Sequence, residues 1–267
     1  MNGFKETEIC YRYDGSFYGM LSCVFEAFEK KEMPMQIACA DGSLFNTINI
    51  ETDARKAERI LRSIPIKIGD EALKYTKYAF LADMDAKEVA LIWFLREGLR
   101  YGTGFIEIVR TRFSPERRVV AGALKNPYVD KLRKGVDLLL LESARFIEFA
   151  RFSDCNGALV SVIEPENNVL PLLARHFTER YRNDNFLIYD KTHGFALMYT
   201  DYNTQIVPIE YYEIPPATEE EKKYQNLWRL FYHTVEIRER HNPRCRMNHM
   251  PKKYWKNMTE FMNEVLI

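Results

Sequence analysis

The sequence predicts an α+β protein: a small, mostly antiparallel sheet with surrounding helices and a helical middle segment. Three observations predict it. Apolar residues recur every three to four positions from 17 to 30 and through residues 70–150. From 159 to 211 they fall instead into short runs with the shorter period of strands. Turn-forming Gly, Asp and Pro residues separate those runs, and no repeat or low-complexity linker interrupts the chain. Helices set apart from a run of strands are the pattern of an α+β fold. The expectation is therefore one α+β domain over 1–267, with a helical subdomain at about 70–150.

In order, Ile9, Tyr11 and Tyr13 alternate with Cys10 and Arg12, which reads as a strand. Asp14-Gly15 makes a turn and Ser16 caps the next helix, where Phe17, Met20, Leu21, Val24, Phe25 and Phe28 share one face. Gln36 to Ala40 is a short strand. Thr52 or Asp53 caps a helix expected to end before Pro65. Asp70 to Leu81, Asp85 to Tyr101 and about Pro127 to Phe149 are helices, and Gly102 and Gly104 stop the second. Leu159 to Ile163 is a strand and Leu170 to Tyr181 a helix. Asn185 to Tyr189 and Phe195 to Tyr199 are strands joined by the turn 190–194, and Gln205 to Tyr211 is a further strand. Thr218 with Glu221 forms a capping box for a helix to about Arg240. Pro251 opens a last helix to about Leu266.

Composition limits the function classes. Thirty-eight Lys/Arg balance 38 Asp/Glu over 267 residues. No apolar run approaches a membrane span and no signal-like leader opens the chain, so a cytoplasmic protein without membrane contact is expected. Five widely spaced cysteines form no CxxC, so no zinc ribbon or iron–sulfur loop, no metal and no cofactor is expected. Charge is uneven, however: residues 238–267 hold seven Lys/Arg against three acids, and residues 96–134 hold ten against four. Such patches suit a phosphate-rich partner, although basic segments also pair with acidic ones inside a fold.

The sharpest local signal is Arg238 to Lys256. Arg238, Arg240, Arg244, Arg246, Lys252 and Lys253 supply phosphate contacts, and Tyr254 and Trp255 either stack on an unpaired base or pack as core anchors. Arg110, Arg112, Arg117 and Arg118 extend that surface. His241, Cys245 and His249 lie at metal-capable helical spacing, but Pro243 and Pro251 argue against a regular helix there. For acid–base chemistry the candidates are Asp14, His176, Arg180 and Asp190. His176 and Arg180 share a helix face, and Asp190 ends a strand. Each also has a structural reading, as a turn residue or an internal hydrogen-bond partner. No GxGxxG, GxxxxGK[ST], HExxH or GxSxG is present.

Tyr13-Asp14-Gly15-Ser16-Phe17, Arg145-Phe146, Arg175-His176-Phe177 with Arg180, Ile188-Tyr189-Asp190, and Met250-Pro251-Lys252-Lys253-Tyr254-Trp255 occur in this order. Together they resemble a bacterial family of probable DNA-metabolism proteins built on a domain of unknown function. The resemblance implies association with a DNA-modification or repair radical S-adenosylmethionine (SAM) protein as partner. This chain lacks the cysteine triplet of a radical-generating cluster, so such chemistry belongs to that partner. The expected function is a DNA repair or modification accessory protein that binds DNA, or a DNA-bound radical SAM partner, through the basic-aromatic C-terminal segment. Two alternatives stay open. One is an enzyme acting on a nucleotide or damaged DNA through His176, Asp190 and Asp14. The other is a protein-interaction module without DNA contact, which requires an exposed apolar patch.

Overall fold

A computed structural model describes residues 3–40, 42–111, 114–120, 125–213 and 217–261. The chain is α+β. Its contacts divide it into two compact units, Met1–Leu139 and Leu140–Ile267.

The first unit opens on β1 (Lys5–Arg12), in which the consecutive Cys10 and Tyr11 are both buried, so the expected alternation with Ile9 is not kept in this central strand. Helix α1 (Phe17–Lys30) follows, with the Ser16 hydroxyl accepting from the Gly19 amide at 2.9 Å. Lys31 ends it in the left-handed conformation. The chain then returns as β2 (Glu32–Ala38), and β3 (Asn46–Asn49) lies on the other side of β1. The order is β2-β1-β3, and both pairings are parallel. The expected sheet is mostly antiparallel; here a 14-residue helical crossover brings the chain back to the same end of the sheet, which makes the neighbours parallel. Pro34 sits within β2, an edge strand, where a missing donor is tolerated.

Three helices follow. α2 (Ala54–Lys67) is capped by Asp53, whose carboxylate accepts from the Arg55 and Lys56 amides. It does not end before Pro65. The Ile68 amide resumes bonding to the Ile64 carbonyl at 2.8 Å, so proline three residues from the end removes little of the ladder. α3 (Asp70–Leu81) and α4 (Lys87–Tyr101) build the core with Tyr75, Leu91, Ile92 and Phe94, and the Tyr75 and Phe94 rings stack at 5.7 Å. A hairpin of β4 (Ile106–Thr111) and β5 (Ser114–Val120) follows, unforeseen because its strands are charged and lack a clear apolar alternation. The division between the units falls inside α5 (Pro127–Phe149).

In the second unit β6 (Ser153–Cys155), β7 (Ala158–Ile163), β8 (Asn185–Asp190), β9 (Phe195–Thr200) and β10 (Asn203–Pro208) form one sheet of order β10-β9-β8-β7-β6. Only β7 and β8 pair parallel, joined through α6 (Leu170–Arg180). The other pairings are antiparallel, as the sequence leads one to expect. Phe152, Phe177, Tyr181, Phe186 and Tyr199 form a run of ring contacts at 4.9–6.3 Å. α7 (Glu219–Thr234) starts at its capping residue Thr218 and stops six residues short of the expected end at Arg240. α8 (Pro243–His249) forms despite Pro243. That proline is at the first helical position, where no amide donor is needed, and Asn242 caps the Cys245 amide at 3.0 Å. The expected last helix begins as a 3-10 segment, Lys252–Asn257; residues 262–267 lie outside the described residues.

Candidate functional site

The basic tail separates into three environments. Tyr254 and Trp255 are buried. Tyr254 packs edge-on to Phe146 at 5.2 Å and against Phe149 at 5.3 Å. Trp255 stacks on Phe261 at 4.5 Å, and its indole N–H donates to the Met250 carbonyl at 2.9 Å. Of the two roles open to these rings, packing is the one observed. The lysines beside them meet carboxylates. Lys253 reaches Glu166 at 3.1 Å and Glu142 at 3.5 Å, and Lys256 pairs with Glu164. Burial works against the Lys253 charge, but its bond to Glu166 and the neighbouring carboxylates win and hold its pKa above the ordinary value. Glu142 is itself buried and accepts from the Asn167 amide at 2.8 Å and the Glu166 amide at 3.1 Å, so the half-exposed Lys253 closes over a buried carboxylate at the surface.

Arg240, Arg244 and Lys252 are exposed, and among the described residues none of them pairs with a carboxylate. Lys252 sits over the Trp255 ring at 5.6 Å. Arg246 lies over the Trp255 and Phe261 rings at 4.9 and 5.3 Å. The Arg238 side chain and the whole of Arg112 lie outside the described residues. Arg110, Arg117 and Arg118 are placed by backbone alone, with Arg117 opposite Val109 and Arg118 opposite Ile108 in the β4–β5 hairpin.

α7 carries the feature the sequence did not single out. None of its residues is buried, although it contains Tyr224, Leu227, Trp228, Leu230 and Phe231. Leu227, Leu230 and Phe231 are 59%, 63% and 54% exposed. Tyr224, Leu227 and Phe231 stand at i, i+3 and i+7, so they form one stripe along the helix. The adjoining face is fixed to the unit by polar contacts. The Trp228 indole N–H donates to Glu260 at 3.1 Å, Arg229 donates to the Thr259 carbonyl at 2.9 Å, and Gln225 donates to the Ser153 hydroxyl at 3.3 Å. Glu260 is also gripped by both prongs of Arg151, at 3.2 and 2.7 Å. Val235, Ile237 and Met247 continue the exposed apolar residues into α8. Glu219 to Glu221 mark the stripe's acidic end, while Arg240 and Arg244 follow it in sequence.

Each acid–base candidate has partners of its own among the described residues. Asp190 is fully buried at the end of β8 and accepts from the Thr192 and His193 amides at 3.0 and 3.1 Å, and pairs with His193 Nδ1 at 2.7 Å. Burial pushes its carboxyl above the ordinary range, against the hydrogen bonds from His193 and Thr192. Its partner is thus His193, not His176. His176 lies on α6 with its ring edge-on to Phe177 at 5.0 Å, and Arg180 lies over Tyr181 at 5.6 Å. Asp14 belongs to the first unit. It is exposed and accepts from the Ser16 amide at 2.9 Å and the Thr52 hydroxyl at 2.7 Å, and these bonds hold its carboxyl below the ordinary range. Asp14 therefore ties the loop after β1 to the start of α2. Gly19 makes room for it: a Cβ there would lie 2.1 Å from Asp14 Oδ1 and 2.9 Å from Thr52 Oγ1. Gly19→Ala is expected to destabilise the first unit by about 1–3 kcal/mol in a denaturant titration, from overpacking against fixed polar atoms.

Among the described residues no group of three His, Cys, Asp or Glu side chains is placed to hold a metal. His241 lies before α8 and pairs with Glu236, so the three-residue spacing with Cys245 and His249 is not carried by one helix. Among the described residues no helix is long and apolar enough to cross a membrane.

A family described as a domain of unknown function, DUF4130, matches residues 102–260. The chain belongs to this family. No curated protein and no solved structure matches the chain. The DUF4130 region starts after α4 and reaches Glu260, so it includes α7, α8 and the buried Tyr254–Trp255 pair. The parallel sheet β2-β1-β3 and Asp14 lie before it. Within the DUF4130 region, sequence reasoning missed His193. The available signal was Asp190 at the head of the turn 190–194, since a turn Asp bonds to the backbone just after it and so has His193 nearby. It also missed the α7 stripe, since an apolar helix face announces burial and says nothing of what covers it.

Proposed function

We propose that the chain is an accessory protein of DNA repair or modification that acts by docking a protein partner on the exposed face of α7. One observation carries this reading: a helix without a buried residue presents Tyr224, Leu227, Leu230 and Phe231 to solvent. Leaving that much apolar area in water is unfavourable at about 25 cal/mol per Å2, and a contiguous exposed apolar surface is the mark of an interaction site. Arg240 and Arg244, which follow the stripe and pair with no carboxylate among the described residues, suit a partner segment that is amphipathic and acidic at one end. The resemblance to DNA-metabolism proteins names the partner, a radical SAM protein acting on DNA, and that protein would carry the chemistry.

The test is a calorimetric titration of the full chain with that radical SAM protein. The wild type is expected to bind, and Leu227→Glu with Leu230→Glu to weaken binding at least tenfold at unchanged circular dichroism. Equal binding by the variant, or no wild-type binding with or without DNA, contradicts the reading. A second reading, direct contact with DNA, is supported by Arg240, Arg244 and Lys252, which are exposed and meet no carboxylate among the described residues. Under it, Arg240→Ala with Arg244→Ala lowers the salt slope of DNA binding by about 2, one for each lost phosphate contact. An unchanged slope removes those two residues from the interface.

A further inference from the structure

The first unit holds an apolar groove between α1, α2 and the end of α4. Its cavity is about 290 Å3, near the lower bound of ligand pockets, about 300 Å3. Ile64 and Leu95 form a buried floor. Phe25, Phe28, Ile60 and Leu99 form walls that remain partly in solvent. Apolar side chains held around open space, rather than closed on one another, leave dispersion contacts unmade that a ligand can supply.

The charges at the mouth are unequal. α2 contributes Arg59 and Lys67, and α1 contributes Glu29. On the same helix, Lys56 pairs with Glu26 and Arg62 with Glu58 at 3.0 Å. Arg59 and Lys67 pair with no carboxylate among the described residues. The Arg59 guanidinium is 5.5 Å from the centre of the Phe25 ring, so it is seated on the groove wall and not extended into solvent. Lys67 lies about 12 Å further along the helix and adds to the positive potential at the mouth. One acid faces two cations, and the groove is therefore complementary to a negative group attached to something apolar.

We propose that this groove binds a small amphiphilic anion: one carboxylate or phosphate, met by Arg59, on an apolar body the size of a single ring or short alkyl chain. The site lies in the other unit from α7 and outside the DUF4130 region, so it is independent of the docking reading.

The experiment is a calorimetric titration of the full chain with octanoate, octyl phosphate, 1-octanol and octyltrimethylammonium. Both anions are expected to bind, and the alcohol and the cation at least tenfold more weakly. Arg59→Gln is expected to abolish the preference for the anions. Ser63→Trp, which places an indole into the groove lining, is expected to remove binding of all four at unchanged thermal unfolding. Leu227→Glu with Leu230→Glu leaves octanoate binding as in the wild type. Binding of octanol as tight as octanoate, anion preference that survives Arg59→Gln, octanoate binding that survives Ser63→Trp, or no binding of either anion overturns the proposal.

Discussion

Arg151→Met is expected to destabilise the C-terminal unit by about 3–5 kcal/mol, because it leaves a buried carboxylate without its partner. Glu260 is 2% exposed at its side chain and accepts two hydrogen bonds from Arg151 and one from Trp228. Burial alone raises a carboxyl pKa. The Arg151 bonds, a backbone amide bond, the Arg151 charge and the Trp228 bond together overcome that and leave the Glu260 value lowered. The sign of the pH dependence follows. A lowered folded pKa gives stability that is present above the ordinary glutamate range, near pH 4.5, and is lost as pH falls through the folded value. In Arg151→Met the burial stays while the bonds and charge of Arg151 are lost, and only the backbone amide bond and the Trp228 bond still favour the carboxylate, so the folded pKa rises above that of the wild type. The variant's deficit then shrinks as pH falls and Glu260 becomes neutral. Denaturant titrations at pH 7 and pH 4 measure both. Wild type and variant with parallel pH profiles would contradict the assignment of Glu260.

Phe231→Ala is expected to weaken the proposed partner complex by about 2 kcal/mol, roughly thirtyfold, as loss of an aromatic anchor at the centre of an interface does. In the isolated chain the same change is expected to stay within about 0.5 kcal/mol, since Phe231 is more than half exposed there. The contrast between the two measurements is the informative quantity. A side chain that mattered to the fold would show its cost in the chain alone. Trp228 is not suited to this comparison, because its indole N–H also holds Glu260.

The helices whose stripes are packed were legible in the sequence. Phe17 to Phe28, Val89 to Leu99 and Val136 to Phe146 repeat at helical spacing because each helix buries apolar residues such as Leu21, Ile92 and Leu139. Local capping was legible too, at Ser16, Asp53 and Thr218. The pairing of strands was not. Whether Ile163 lies beside Asp190 or elsewhere is decided by a crossover of some 20 residues, and no short-range pattern encodes it. β3, Asn-Thr-Ile-Asn at 46–49, has one apolar residue and gave no strand signal. The tail shows a further limit. Lys253, Tyr254, Trp255 and Lys256 are the residue types of a nucleic-acid surface, yet burial of the rings and the three glutamates that meet the lysines make them a structural clasp. Glu142, Glu164 and Glu166 lie some 90 to 110 residues away in sequence, beyond the reach of a local reading.

Amide hydrogen exchange on the full chain, alone and with the proposed radical SAM partner, tests the docking account most directly. The account predicts slowed exchange in the complex across residues 224–234, with β8 and β9 unchanged. Slowing elsewhere in the chain while α7 exchanges as it does alone would contradict it.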